Sequence, residues 1–382
     1  MRIGFFADMY LPHISGVTNH IRLYKRHFED LGHEVFVFTF GDLDYQDAEP
    51  RVVRSAGIPW GKTGWRFAFD LSPEARRLAE TLDIIHVHHP FQSGRVVAPL
   101  ARRRHIPLVF TNHTRYDLYS DSYAAFVPRA VRYAYLRAGL RRFLDRCDLA
   151  VAPAASIATW LHDFTGFDGA TVIPNGVDTN AFAHPEAPVS RTELGFSESD
   201  VVFCYAGRLG PEKNTPWLAD EFAAATATAP RARLLVIGDG PARAEAAAAI
   251  TAAGLADRAR FLGMVPYERM PDYEAAADVF VTGSVTEVHP LVVLEAMAAG
   301  LAVVAVSSPG IADTVVDGDS GLLAAGVAPG ALAQRIARLA TDDDLRVQLA
   351  AHAFAAAGAY SLENTADLLL KRYADLVDKR LS

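Results

Sequence analysis

The sequence has little cysteine. Its 382 residues include two, Cys147 and Cys204, which lie far apart in the chain. Such a pair provides neither a disulfide framework nor the close spacing of zinc ligands. We therefore expect both to be small, buried, apolar side chains.

Long hydrophobic runs and a surplus of positive charge are also missing. The most apolar stretch, residues 291–306, is interrupted by Glu295 and Gly300 and is too short to span a membrane. The chain reaches Asp8 before an apolar run long enough for a secretory signal develops. The formal net charge of -8 disfavours a nucleic-acid partner, because phosphate contacts require a basic surface. These absences predict a cytoplasmic protein, peripheral on the cytosolic face of a membrane at most.

Short apolar runs alternate with segments of helical periodicity along the whole chain. This alternation predicts an α/β protein with two doubly wound, parallel-sheet domains. The predicted boundaries are an N-terminal Rossmann-like domain at 1–180, a proline-containing linker at 181–199 and a second Rossmann-like domain at 200–360. A final helix at 361–382 is expected to pack back on the first domain. Two such domains facing each other would hold a ligand in the cleft between them.

The most specific chemical pattern covers residues 282–300. A strand ends near Thr282, and a helix begins near Pro290, where proline suits the first turn. Glu287 precedes that helix and Glu295 lies within it, while free N–H groups at the helix start form an anion site. A structural alternative remains, since Ser284-x-x-Glu287 fits a capping box. In that alternative Glu295 is an exposed helix residue.

A second pattern, Gly207-Arg208-Leu-Gly-Pro-Glu-Lys213-Asn, follows a predicted strand. Two cations on a glycine-rich loop suit a diphosphate leaving group, because they neutralise the charge that develops as its bond breaks. A surface arginine–lysine pair taken alone is usually only solvated.

Together the two patterns resemble the retaining glycosyltransferases of the GT-B fold, family 4. Glu287 and Glu295 match the family's two glutamates separated by seven residues, and Arg208 and Lys213 match its Gly-Arg…Glu-Lys segment. The resemblance implies a nucleoside diphosphate sugar donor, UDP-glucose favoured, and a hexose transferred with retention. His289 departs from the family, which commonly has a small residue there.

The resemblance also implies roles for individual residues, including His113, which matches a family histidine at the donor sugar. The expected catalytic residues are His113, Glu287, Arg208 and Lys213. The expected donor-binding residues are Gly16, Gly207, Arg208, Lys213, Gly238, Val265, Glu287, Val288, His289, Pro290, Leu291 and Glu295. On the acceptor side the candidates are Tyr10, His13, Tyr116 and Asp117.

An arginine-rich segment suggests the acceptor. Six arginines face two acids between Phe126 and Asp148, with aromatic and leucine residues interleaved. A surface helix packing one stripe on the core explains this pattern, but so does docking to anionic lipid through Arg129, Arg132, Arg137 and Arg141. Residues 111–119 and the pair Ser15-Gly16 resemble diacylglycerol glucosyltransferases. The expected acceptor is therefore a membrane lipid, with a soluble small molecule as the alternative.

No metal or cofactor is expected. His86, His88 and His89 have no companion carboxylate, and both Asp-x-Asp triplets, at 42–44 and 317–319, fall among turn-forming residues. Two other classes of protein stay open. A nucleotide-sugar epimerase would share the two-domain architecture, and a catalytically silent membrane-binding module would share the arginine-rich segment.

Overall fold

A computed structural model describes residues 1–59, 66–124 and 126–381. The chain divides into two compact units, one made of Met1–Gly176 with Leu362–Ser382 and the other of Val177–Ser361. Among the helices of the described residues, none has the length and apolar character needed to cross a membrane.

The first unit is built on a parallel sheet in which strand and helix alternate. Its elements are β1 (Arg2–Phe6), α1 (Gly16–Asp30), β2 (Glu34–Phe40), β3 (Val52–Ser55), β4 (Ile58–Pro59), β5 (Arg66–Phe67), α2 (Pro73–Ala79), β6 (Ile84–Val87), α3 (Ser93–Arg104), β7 (Leu108–Thr111), α4 (Tyr116–Tyr123), α5 (Arg129–Leu144), β8 (Leu149–Ala152), α6 (Ala155–Thr165) and β9 (Ala170–Val172). The sheet order is β3-β2-β1-β6-β7-β8-β9, and β4 and β5 form a separate antiparallel pair.

The second unit repeats this architecture. Its elements are α7 (Thr179–Ala183), β10 (Val201–Ala206), α8 (Thr215–Ala225), β11 (Ala232–Ile237), α9 (Arg243–Ala252), β12 (Ala259–Gly263), α10 (Met270–Glu274), β13 (Val279–Thr282), α11 (Leu291–Ala298), β14 (Ala302–Val306), α12 (Pro309–Ala312), β15 (Gly321–Ala324), α13 (Ala331–Thr341) and α14 (Asp343–Ala357). The parallel order is β12-β11-β10-β13-β14-β15. Every residue of β10 is buried, as expected for a strand covered by helices on both faces.

The last helix, α15 (Leu362–Leu381), belongs to the first unit. It packs on α1, where the Tyr24 hydroxyl donates to Thr365 Oγ1 at 2.9 Å. Tyr373 is fully buried, and its hydroxyl lies 2.5 Å from His86 Nδ1. The helix therefore covers the first sheet from the far end of the chain.

The segment 181–199, predicted as a linker, lies within the second unit. Phe182 and Leu194 are buried there, and the Val189 N–H donates to the Asp272 carbonyl at 2.9 Å. Residues 181–183 belong to α7, and the rest of the segment packs without a helix or strand, which prolines and a lack of apolar periodicity also allow. The sequence pattern therefore does not distinguish that case from a linker.

Candidate active site

The order of the second sheet determines where its loops lie. β10 neighbours β13, with β11 and β12 on one side and β14 and β15 on the other. The connections after β10 and β13 therefore leave the sheet side by side and in opposite directions. Ligands of doubly wound sheets bind outside the carboxyl ends of the strands at such a point.

The loop after β10 is bound tightly to the loop after β11. The Gly207 N–H donates to the Ile237 carbonyl, and the Leu209 N–H donates to the Asp239 carbonyl, both at 2.9 Å. Gly238 has a φ of 131°, and a Cβ placed there would lie 1.9 Å from the Gly207 carbonyl oxygen. Only glycine permits this approach, so Gly238 acts by fixing the backbone that carries Arg208.

Two ion pairs occupy the switch point of the second unit. Lys213 Nζ donates to Glu287 Oε1 at 2.6 Å and links the β10 loop to the β13 loop. The Arg208 guanidinium donates to Glu212 Oε1 at 2.7 Å, and the Glu212 side chain is buried. The structure therefore brings Lys213 and Glu287 into contact and keeps Arg208 on the same loop. Their roles toward a donor stay predictions.

The capping-box alternative is wrong, because the N-cap of α11 is Pro290, three residues after Glu287. Ser284 Oγ is buried and has no hydrogen-bond partner among the described residues. The N–H groups of Val293 and Leu294 donate to the Pro290 carbonyl at 3.1 and 3.4 Å. The earlier N–H groups have no acceptor within the helix, which leaves them for an anion.

Close packing fixes the end of the β13 loop, just before α11 begins. A Cβ on Gly310, in α12, would lie 2.2 Å from the Val288 carbonyl oxygen. At its other end, α11 stops before Gly300, whose φ of +76° suits a glycine after a helix. The predicted donor-binding residues Val288 and Leu291 are buried.

Glu295 is not an exposed helix residue, since 2% of it is accessible. Its Oε1 accepts a hydrogen bond from the Tyr267 hydroxyl at 2.8 Å. Burial raises the pKa of Glu295 to about 7, although the bond from Tyr267 opposes this. Val265, another predicted donor-binding residue, is partly buried against the apolar core of the second unit that includes Val293 and Met297 of α11.

Glu274 was not identified from the sequence. It lies at the end of α10 and is fully buried, and burial together with the charge of Glu295 raises its pKa well above the ordinary value. Its neighbours Tyr273 and Ala275 give no period that would separate a buried acid from a solvated one. The pattern that located Glu295 therefore had no counterpart here.

His289 is buried, and its ring lies 5.3 Å from that of Tyr360. Burial lowers the pKa of His289 to about 4, against a smaller opposing effect of Asp313. The imidazole is therefore neutral near pH 7. Its predicted influence on donor choice would come from shape and hydrogen bonding rather than charge.

In the first unit the switch point lies between β1 and β6. His88 follows β6 and His113 follows β7, and His88 Nδ1 lies 2.9 Å from His113 Nε2. Burial, with neighbouring imidazoles, lowers the pKa of both rings well below the ordinary value. Both rings are therefore neutral near pH 7, and one N–H lies in the hydrogen bond between them. Nδ1 is the ring nitrogen of His113 that this bond does not use.

The metal alternative weighed from the sequence concerned His86, His88 and His89. In the structure the two ring nitrogens of His86 are engaged by the Tyr373 hydroxyl and by Thr111 Oγ1, the latter at 2.8 Å. One ring nitrogen each of His20, His88 and His113 lie within 4.8 Å of one another. His88 Nε2 has no hydrogen-bond partner among the described residues, and the metal independence expected from the sequence stays a prediction.

The acceptor-side candidates are partly engaged by neighbouring groups. The Tyr10 hydroxyl donates to Glu49 at 2.6 Å, and Arg115 donates to both Asp117 oxygens at 2.9 and 2.7 Å. Burial raises the pKa of Tyr116.

The loop before α1 carries the other two candidates. The His13 carbonyl accepts from Thr18 Oγ1 at 2.9 Å, and Ser15 caps the helix. A Cβ on Gly16 would meet no atom within 4 Å, so the space around this predicted donor contact is open. Its role, like those of the acceptor-side candidates, stays a prediction.

The arginine-rich segment forms α5, and its arginines differ in exposure. The Arg132 guanidinium donates to the carbonyls of Ala124 and Val127 and pairs with Asp121. Arg132 is therefore engaged within the protein, whereas the prediction had it facing a membrane. Arg141 pairs with Asp145 at 2.8 Å. Arg129 remains largely exposed.

The comparisons with known proteins agree with this architecture. Residues 187–355 match the family "Glycosyl transferases group 1", and residues 14–181 match "Glycosyltransferase Family 4". An alpha-monoglucosyldiacylglycerol synthase of Streptococcus pneumoniae is 30% identical over 329 residues, covering 83% of this chain and 74% of that protein. A D-inositol 3-phosphate glycosyltransferase of Geodermatophilus obscurus is 33% identical over 316 residues, covering 79% and 68%.

Structural similarity extends over the whole chain. The crystal structure of Anabaena Alr3699/HepE in complex with UDP-glucose has a TM-score of 0.79 at 22% identity and covers 98% of this chain and 100% of that one. The two Rossmann-like units define the GT-B class of glycosyltransferase folds. The chain belongs to glycosyltransferase family 4, which confirms the resemblance found in the sequence.

Proposed function

We propose that this glycosyltransferase moves a hexose, glucose favoured, from a nucleoside diphosphate sugar to a membrane lipid such as diacylglycerol. UDP-glucose is the favoured donor, the anomeric configuration is retained, and no metal ion is needed. Support for the lipid acceptor comes from the S. pneumoniae relative, whose name describes a glucosyldiacylglycerol synthase.

The observation that carries the donor side is the contact between Lys213 and Glu287 at the switch point. In this proposal the diphosphate takes Lys213 and Arg208 as its counterions, because charge-assisted hydrogen bonds to phosphate oxygens are among the stronger ones. Glu287, released from Lys213, accepts hydrogen bonds from sugar hydroxyls. Glu295 accepts from the ribose hydroxyls, and His113 contacts the sugar.

We assign a front-face mechanism, because the described part of the site offers cations and N–H donors and none of its side chains is assigned as a nucleophile. The bond between the anomeric carbon and the phosphate oxygen breaks, and the acceptor oxygen bonds to that carbon from the same side. The acceptor hydroxyl proton passes to the leaving phosphate oxygen. Arg208, Lys213 and the free N–H groups at the start of α11 stabilise the charge on that phosphate.

The surface of α5 and the preceding turn supports a lipid acceptor. Phe126, Val131 and Tyr135 are 85%, 59% and 71% exposed, close in sequence to Arg129 and Arg137. Exposed apolar side chains beside arginines suit insertion at an anionic lipid surface. Peripheral association with a membrane is part of the proposal for this reason.

A soluble acceptor is the second candidate. The G. obscurus relative is 33% identical, slightly more than the glycolipid synthase, and its name gives an inositol phosphate as its substrate. A phosphorylated polyol needs cations on the acceptor side. Arg115, which pairs with Asp117 in this structure, lies among the predicted acceptor residues.

A transfer assay tests these proposals together. The purified protein is incubated with UDP-glucose and other nucleotide sugars, and with diacylglycerol vesicles or inositol 3-phosphate. Released UDP and glycosylated product are measured with and without EDTA, and the anomer is read by NMR. We expect an α-glucosyl lipid as the product. Glu287→Gln should lose activity, and the surface control Glu186→Gln should keep it. Conversion of donor without any acceptor would contradict the proposal, and glycosylation of inositol phosphate alone would favour the second candidate.

A further inference from the structure

Three acidic groups of the second unit form a cluster, in which Glu274 and Glu295 are buried and Tyr267 is partly buried. Glu274, at the end of α10, is 0% exposed, and Glu295, in α11, is 2% exposed. The Tyr267 hydroxyl, on the turn before α10, donates to Glu295 at 2.8 Å. The proposed function uses Glu295 and leaves Glu274 and Tyr267 without a role.

Glu274 is unusual because neither of its carboxyl oxygens has a hydrogen-bond partner among the described residues. An unpaired buried carboxylate is very costly, and such a group keeps its proton instead. Lysine and arginine side chains are also missing from the buried set in the described part of the second unit. The cluster therefore has no buried cation of this kind to balance an ionised acid.

The other titratable groups near the pair are acids as well. Burial and charge on Glu274 raise the pKa of Cys204, on β10. Burial raises the pKa of Tyr267, and so does charge on its acidic neighbours Glu295, Glu274 and Asp178. Asp178, before α7, accepts the Ala181 N–H at 2.9 Å. The remaining elements packed on α11 contribute apolar core residues, namely Ala353 and Ala357 of α14 and Val303 and Ala305 of β14. Because charge on Glu295 raises the pKa of Glu274, we expect one carboxyl of this cluster to ionise at a time.

A bound donor changes this balance, provided that Glu295 meets the ribose as the proposed function has it. The two ribose hydroxyls are donors, and donors favour the ionised form of the carboxyl that accepts from them. Tyr267 already donates to the same carboxyl. Glu274 receives no new donor and keeps its proton.

We propose that binding of a nucleoside diphosphate sugar releases one proton from Glu295 while Glu274 stays protonated. The O–H bond of the Glu295 carboxyl breaks, the proton passes to the solvent, and the carboxylate accepts the ribose hydroxyls. Tyr267 is a positioning residue that sets the pH range of this step. The inference rests on the ribose role of Glu295 in the proposed function.

The expected pH dependence follows from the free protein, in which burial raises the pKa of Glu295 to about 7. Below that pH the donor must displace a proton, so its affinity rises about tenfold per pH unit. Above it Glu295 is already ionised, and affinity no longer changes. The number of protons released falls from one to zero over the same range.

Titration calorimetry with UDP-glucose, without acceptor, measures this number directly. Binding heats are compared at each pH from 5.5 to 8.5 in two buffers of different ionisation enthalpy. UDP-glucose suits the test because its diphosphate is a diester with no proton to lose near neutral pH. We expect about one proton released at pH 5.5 and about none at pH 8.5.

Near-isosteric variants assign the proton. Glu295→Gln should bind more weakly and release no proton, whereas Glu274→Gln should still release it. Tyr267→Phe should shift the fall in proton release to higher pH, because a donor to the ionised form is lost. A merely structural role of Tyr267 would lower affinity without moving that midpoint.

Two results would overturn the inference while leaving the proposed function intact. One is wild-type binding at pH 5.5 with no proton released. The other is loss of the release in Glu274→Gln but not in Glu295→Gln. Absence of nucleotide-sugar binding at every pH, in protein shown to be folded by circular dichroism, would overturn the proposed function and the inference together.

Discussion

Glu295→Gln measures what the fold loses by burying this acid, independently of any ligand. Glutamine keeps the size of the side chain and an acceptor for the Tyr267 hydroxyl, but it has no charge. Burial raises the pKa of Glu295 from 4.5 to about 7. Because the folded state binds this proton more tightly than the unfolded state, the wild-type protein loses stability as pH rises from 4.5 through 7.

The size of this loss follows from the two pKa values. The difference between 4.5 and about 7 corresponds to about 3 kcal/mol of unfolding free energy, fully lost above about pH 8. Glu295 is almost fully buried, so solvent screening reduces this value little. Glu295→Gln avoids the loss, and its stability relative to wild type should rise with pH.

The unfolding free energies of Glu295→Gln and wild type are compared by urea unfolding at pH 5 and pH 8.5. Unfolding is monitored by hydrogen exchange of peptides from the second unit. We expect the variant to gain about 2.5 kcal/mol on the wild type between the two conditions, because part of the loss has already occurred at pH 5. Val292→Thr, on the same helix, changes no titrating group and should differ from wild type equally at both. A Glu295→Gln difference that is also the same at both values would refute the reasoning, because Glu295 would then ionise alike in both states.

Three further predictions concern other residues of the second unit. Burial lowers the pKa of His289 from 6.5 to about 4, so this unit should lose about 2 kcal/mol between pH 7.5 and pH 5, and urea unfolding of His289→Gln should lack that loss. Lys213→Met should weaken UDP-glucose binding by roughly tenfold or more in calorimetry, and unchanged affinity would contradict its phosphate role. Glu221 accepts hydrogen bonds from the N–H groups of Gly330, Leu332 and Ala333 at 2.7, 2.8 and 2.9 Å. Glu221→Gln should therefore lower the free energy of unfolding in urea by about 2 kcal/mol and leave the affinity of the folded protein for UDP-glucose unchanged.

The sequence predicted the architecture because strand and helix periods are local. β10 and β13 were both placed correctly, and the loops that follow them hold Arg208, Lys213 and Glu287. The sequence did not predict that Lys213 and Glu287 touch, because that contact depends on which strands are neighbours. Strand order is a property of the folded sheet.

The errors have a physical cause in burial. Residues 181–199 looked like a linker since they lack apolar periodicity, yet Phe182 and Leu194 anchor them in the second unit. Glu274 was not identified from the sequence, for the converse reason. Single apolar or acidic residues in short helices and irregular chain show no clear period, so their burial is decided by tertiary packing.

The two ion pairs of the candidate site bear on how selective it would be for the proposed donor. Lys213 and Arg208 are each held by a carboxylate, Glu287 and Glu212. An inorganic anion that takes Lys213 leaves Glu287 without its counterion and offers it nothing in return. A nucleotide sugar supplies phosphate oxygens to the cation and sugar hydroxyls to the released carboxylate at once. Under the proposed function the pairs therefore favour the complete donor over either of its parts, since only the complete donor replaces both halves of the contact that it breaks.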